Sequence, residues 1–270
     1  MTTLNSQRTN LLLEALPAEP YQRLATDLEP IQMPAGQVIY ESGSELRYAY
    51  FPTTCIVSKI YVIADGASSE LAIIGNEGFV GLSLLMGGRT MPHQAVVSTA
   101  GYGYRLRRQR FIEEIASAGG TLNDNSLLHL LLRYTQALMT QINQAAACNR
   151  HHSIHQQLCR WLLLTLDRQA SNEMLATHDH IANMLGVRRE SITDAAGKLQ
   201  QKGLINYSRG RLVVLSRAGL EEQVCECYDV INAEFTRLIP AFVNKPASRG
   251  LPPIASAKAT KRPVHDLVFE

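Results

Sequence analysis

The chain has 270 residues, 46% of them hydrophobic and 19% charged, and a formal net charge of +2. That length and apolar content suffice for a sizeable core and predict two domains. The longest apolar runs fall short of a membrane span, no charged-then-apolar leader opens the chain, and five scattered cysteines make no disulfide framework, so a cytoplasmic protein without membrane contact is expected.

Residues 1–10 are polar and read as loose, and Pro17 and Pro20 allow only short helices over residues 11–28. From about Ile31 the texture changes. Ten of the eighteen glycines fall between Gly36 and Gly103 and separate β-rich runs: QVIY, YAYF, CIVSKIYVI, ELAII, FVGLSLL, QAVVSTA and YGYRL. Asp65-Gly66 marks a hairpin between two of them. Strands this short and this often interrupted predict a small barrel, roll or sandwich, closed by a helix over residues 109–118.

From about Asn123 the apolar period becomes helical. Leu127, Leu131, Tyr134, Leu138, Ile142 and Ala145 recur at steps of three and four. So narrow a seam suits a two-stranded coiled coil, which makes Leu127, Leu131, Tyr134, Leu138 and Ile142 the expected dimer contacts. The alternative is a core helix packed on its own barrel. Residues 149–152 interrupt the pattern, and a second helix is expected over residues 153–167.

Residues 177–217 read as two amphipathic helices joined by a tight turn, then a hairpin. Ile181, Ala182 and Leu185 share one face, Gly186 supplies the turn, and Ile192, Ala195 and Leu199 line a second helix over residues 189–202. LINYSRGRLVVL then forms a wing around Ser208-Arg209-Gly210. This stretch holds seven Lys/Arg against three Asp/Glu, net +4, which is the electrostatic footprint of phosphate binding. Arg188, Arg189, Glu190, Ser191 and Asp194 occupy the end of the second helix that enters a major groove when such a helix docks. An Arg there can hold guanine and a carboxylate can accept from cytosine. Lys198, Arg209 and Arg211 are assigned to phosphates.

No metal site or cofactor is expected. Cys225-x-Cys227 is too closely spaced for a redox motif and has no partner cluster nearby in sequence, so it reads as two thiols on a C-terminal helix. His151, His152 and His155 read as polar residues at a helix start. Residues 244–270, rich in Pro, Ala, Ser and Lys, read as a disordered tail.

The order of these parts resembles the cyclic-AMP receptor protein / fumarate-nitrate regulator (Crp/Fnr) family of bacterial transcription factors over roughly residues 20 to 220. Its most specific stretch is IANMLGVRRESITDAAGKLQQKGLI, where the family's Arg-Glu recognition pair falls on Arg189-Glu190. The resemblance implies an α+β chain: a cyclic-nucleotide-binding-like β-roll over residues 1–120, a dimerisation helix over 121–148, and a winged helix-turn-helix over 149–243. It also implies a homodimer on double-stranded DNA, contact with RNA polymerase, a small-molecule effector and no enzymatic activity. The family's nucleotide cassette carries Gly-Glu and Arg-Ser pairs, but here Leu82 follows Gly81 and His93-Gln94 precede Ala95. Neutral groups cannot replace a guanidinium against an anionic phosphate. An altered pocket is therefore expected from Gly81, Leu82, Ser83, Arg89, His93, Gln94 and Tyr134. The competing readings are a metal- or redox-dependent sensor using these His and Cys residues, and a ligand-binding module with a vestigial helix-turn-helix.

Overall fold

The structure, a computed structural model, describes residues 10–117, 126–239 and 242. The expectations for residues 1–9 and for the 244–270 tail lie outside the described residues. Two short helices, α1 (Leu11–Glu14) and α2 (Ala18–Ala25), precede seven strands. These are β1 (Glu29–Met33), β2 (Val38–Tyr40), β3 (Tyr48–Pro52), β4 (Ile56–Val62), β5 (Ser68–Ile74), β6 (Gln94–Thr99) and β7 (Gly101–Arg107). Helix α3 (Leu82–Leu85) interrupts them after β5, and α4 (Arg108–Ser117) closes the unit. The strands form two antiparallel sheets, in the orders β1-β7-β3 and β2-β6-β4-β5. Register shifts within β4 on both of its edges bend the larger sheet, as bulges do.

Three local expectations are corrected here. Asn10 is not loose: it is fully buried, caps α1 through its side-chain oxygen, and donates to the carbonyls of Pro52 and Gly78 at 2.8 Å each. FVGLSLL is not a strand, because Val80 makes only an isolated bridge to Tyr50 and the following residues are helical. Strand β1 was unmarked in sequence because its Glu29, Pro30 and Gln32 carry no strand signature, yet it pairs along β7.

A long helix, α5 (Leu127–His151), leads to α6 (Ile154–Leu166). The break between them falls at His152–Ser153, since residues 149–151 complete the last turn of α5. Ser153 and Gln156 then form a reciprocal capping box that starts α6. There follow β8 (Glu173–Leu175), α7 (His178–Leu185), α8 (Arg189–Gln201), β9 (Ile205–Ser208), β10 (Arg211–Val214), α9 (Arg217–Gln223) and α10 (Cys227–Leu238). The chain is α+β.

A run of aromatic rings joins the parts. Phe51, Phe79, Tyr134 and Phe235 succeed one another at centroid distances of 6.0, 5.4 and 6.4 Å, so one core passes from β3 through α5 to α10. Gly78 permits this: a Cβ there would lie 2.4 Å from the Tyr134 ring. A fully enclosed ion pair adds a polar tie, with Arg168 Nε 2.7 Å from Glu77 Oε1. Arg168 also donates to Gln141 of α5 and to the Leu164 carbonyl, while Glu77 accepts from the Gly75 amide. The β-roll is thereby bound to α5 and to the segment after α6. Among the described residues no helix is long and apolar enough to cross a membrane.

Candidate nucleic-acid interface

Thr177 caps α7 by accepting from the His180 amide, and Gly186 ends it with φ of 65°, a left-handed turn that a side chain rarely adopts. Ile181, Ala182 and Leu185 of α7 and Ile192, Ala195 and Leu199 of α8 are all buried, so both helices use the faces that the spacing marks. The opposite face of α8 is left to solvent. Arg188, Arg189, Glu190, Asp194 and Lys198 are exposed there, and Ser191 is half-buried. Arg188 sits at the N-cap without a side-chain cap bond, and the Ser191 amide donates to its carbonyl at 3.1 Å. Arg189 lies 3.5 Å from Asp179 of α7, an exposed pairing that a base edge or phosphate can displace.

Three side chains from three elements brace this surface. His178 stacks on Tyr207 of β9 with centroids 4.1 Å apart, and its Nδ1 lies 3.0 Å from Thr193 Oγ1 on α8. His178 is therefore part of the scaffold under this surface, and burial lowers its pKa. The wing gains a third strand, since β8 pairs with β10 opposite β9. At its tip Arg209 and Gly210 have φ of 50° and 78°, the primed turn that suits a two-residue hairpin. Arg209 projects at that tip, whereas Arg211 is paired to Glu173 of β8.

The residues expected to line a sensory pocket do not all converge. Arg89 is exposed and lies 3.6 Å from Glu45 on the surface, so it does not supply the missing cassette cation. His93 is buried with Nε2 2.8 Å from Tyr40 Oη, and burial together with nearby Lys59 pushes it down to about 4. Leu82 and Gln94 are half-buried, Gly81 leads α3 with φ of 142°, and the buried Ser83 hydroxyl and Tyr134 phenol have no hydrogen-bond partner. What sequence reasoning missed is Lys59. It is buried on β4, opposite Ala95 of β6, and burial pushes its ammonium down to about 8. The signal was one Lys inside the apolar run CIVSKIYVI.

Helix α5 carries two further corrections. Leu127, Leu131, Tyr134 and Leu138 are buried within a single chain, against the β-roll and α10, and only Ile142 of the expected seam stays half-buried. The returning α10, which sequence showed only as terminal helical material, takes the place given to a partner. Beside Cys225 and Cys227 the structure also places Cys148 and His152, so that pair does have a partner cluster.

Residues 156–223 match the family model of a Crp-like helix-turn-helix domain, and residues 30–118 match that of a cyclic nucleotide-binding domain. The chain is a Crp/Fnr-type regulator. Its solved structural neighbours include a CRP-family transcriptional regulator of Thermus thermophilus, with 20% identity, a TM-score of 0.58, and coverage of 72% of this chain and 95% of that one. FixK2 of Bradyrhizobium japonicum aligns at 16% identity and a TM-score of 0.58 over 73% of this regulator and 98% of its own chain. The c-di-GMP-responsive global regulator CLP of Xanthomonas campestris aligns at 15% and 0.59 over 74% and 100%. Identities this low establish the shared fold. No curated protein matches the regulator in sequence.

Proposed function

We propose that this regulator acts as a homodimer, reads a near-palindromic operator through α8 and the wing tip, and answers to an effector held in the β-roll. The observation that carries the reading is the exposed charge on the unpacked face of α8, Arg188 and Arg189 at its start and Lys198 further on. In this reading Arg189 and Glu190 meet base edges, with Ser191 and Asp194 beside them in the groove. Arg188, Lys198, Arg209 and Arg211 hold phosphates and set the register.

The partner copy takes a face of α5 different from the one that sequence spacing marks. Leu132 and Met139 are 42% and 55% exposed, and Leu128 and Ile142 are half-buried. With Ala146 they follow one another at steps of four, seven, three and four, a heptad stripe left bare by the chain's own core. The effector is not a cyclic nucleotide held by the family's contacts, since Leu82, His93 and Gln94 offer neither the carboxylate nor the guanidinium. Lys59 supports a small anionic ligand instead. Cytoplasmic residence and contact with RNA polymerase go with this role.

Selection of the purified protein against random double-stranded DNA tests the reading. Enrichment of a two-fold symmetric motif is expected, and retention without sequence preference, with and without a cell extract, would sink it.

A further inference from the structure

Cys148 in the last turn of α5, His152 just beyond it, Cys225 in the connection before α10 and Cys227 at the first residue of α10 converge on one point. Their ligand atoms all lie within 4.8 Å of one another, although 77 residues separate Cys148 from Cys225. The Cys148 and Cys225 sulfurs are 3.6 Å apart, and Cys227 Sγ is 3.5 Å from His152 Nδ1. Bond lengths of about 2.3 Å to sulfur and about 2.0–2.1 Å to nitrogen around a tetrahedral zinc ion require S···S of about 3.8 Å and S···N of about 3.5 Å. The two measured separations fit that tetrahedron.

The surroundings are those of a built site. All three thiols are buried and form a small cluster apart from the main core, touched by Val224. The far nitrogen of His152, Nε2, lies 3.3 Å from Glu226 Oε1, the carboxylate partner that fixes a ligating imidazole so that Nδ1 faces the ion. Gln157 donates to the carbonyls of both His152 and Cys148, which holds the two ligand-bearing turns together. Buried Arg160 lies near Cys148 and offsets the net negative charge that three thiolates and a dication carry. A plain apolar contact between helices needs none of these groups. A disulfide between Cys148 and Cys225 would leave Cys227, His152 and Glu226 without a role.

We propose that Cys148, His152, Cys225 and Cys227 form a closed, four-coordinate site for one thiophilic divalent ion, in the first place Zn2+. Four protein ligands leave no open position, so the ion is structural: it fastens the corner between α5 and α6 to the C-terminal helices. Soft thiolates exclude Ca2+ and Mg2+ as occupants. This inference stands independently of the DNA-reading assignment.

The test uses the full chain, reduced and stripped of metal without oxygen, then titrated with Co2+ as a spectroscopic probe. One Co2+ per chain is expected, with the intense visible bands of tetrahedral Co2+ and a thiolate-to-metal charge-transfer band. One equivalent of Zn2+ should abolish both. Glu226 is solvent-exposed, so Glu226→Gln should fold normally and weaken Co2+ binding about ten- to a hundredfold. Only the pale spectrum of hydrated Co2+, or undiminished tetrahedral bands in the Cys225→Ser/Cys227→Ser protein, would overturn the proposal.

Discussion

Arg188, Arg189 and Lys198 stand in solvent on α8, whereas Lys59, His93 and Glu77 are enclosed by the β-roll. The contrast separates two ways of carrying charge. On α8 the charged face costs little to keep, because the packing that positions it lies on the other side of the helix, in Ile192, Ala195 and Leu199. In the β-roll a charge that has lost its hydration either finds a partner remote in sequence, as Glu77 does in Arg168, or is weakened, as burial pushes the Lys59 ammonium down to about 8 and His93 down to about 4. The fold therefore tolerates change on the exposed face of α8 residue by residue, and change among the enclosed groups of the β-roll much less.

The contrast is broken or sharpened most strongly at the enclosed ion pair. Arg168→Leu should cost about 3–5 kcal/mol, because it strands the Glu77 carboxylate in the interior. Urea unfolding reads this directly, and a wild-type midpoint would show that the pair holds nothing. Next comes α5, where the two apolar stripes should part company. Leu131→Ala should cost about 2–5 kcal/mol of monomer stability, since Leu131 is fully buried. Leu132→Asp/Met139→Asp should leave the fold intact and yield a monomer by sedimentation velocity. A dimer that survives the second change would return the interface to another surface.

Arg189→Ala should leave the melting temperature unchanged, cost about 1–3 kcal/mol at the cognate site, and relax the preference at one base pair. Unaltered selectivity would remove Arg189 from base reading. The smallest effect is a pH dependence at the joint between the two halves. Glu70 accepts from Trp161 Nε1 at 3.2 Å, and Ser58, Arg160 and Arg168 also face it, yet burial raises its carboxyl to about 7. The folded protein thus keeps a proton that the unfolded chain has already lost. The stability gained is full below about pH 4.5 and fades as pH rises through about 7, by about 1–2 kcal/mol for a carboxyl beside partly accessible surface. Glu70→Gln should flatten this slope in thermal melts taken between pH 5 and 8, roughly the window over which the raised acid titrates. An unchanged slope would place the titration elsewhere.

What could be read from sequence follows the same division. The α7–α8 unit was legible because its information is local: apolar residues at steps of three and four, and Gly186 at the turn. Its bracing by His178, Thr193 and Tyr207 was not, because those residues meet across three elements. On α5 the spacing showed one apolar stripe correctly but not what covers it. Leu127 and Leu138 look alike whether they face α10 or a second chain, and only the return of α10 decides. The cluster of Cys148, His152, Cys225 and Cys227 was hidden by chain distance, since a Cys-x-Cys pair has no signature until its remote partners are in place. Lys59 was visible as an oddity in an apolar strand, and only its burial gives it meaning.

The central claim is that α8 reads DNA in two symmetric copies, and hydroxyl-radical footprinting of wild-type protein on its selected duplex tests it most directly. Two protected faces centred one helical turn apart, about 34 Å, are predicted, with the wing tips extending protection outward. A single protected patch, or protection unchanged by Arg189→Ala and by Leu132→Asp/Met139→Asp, would contradict it.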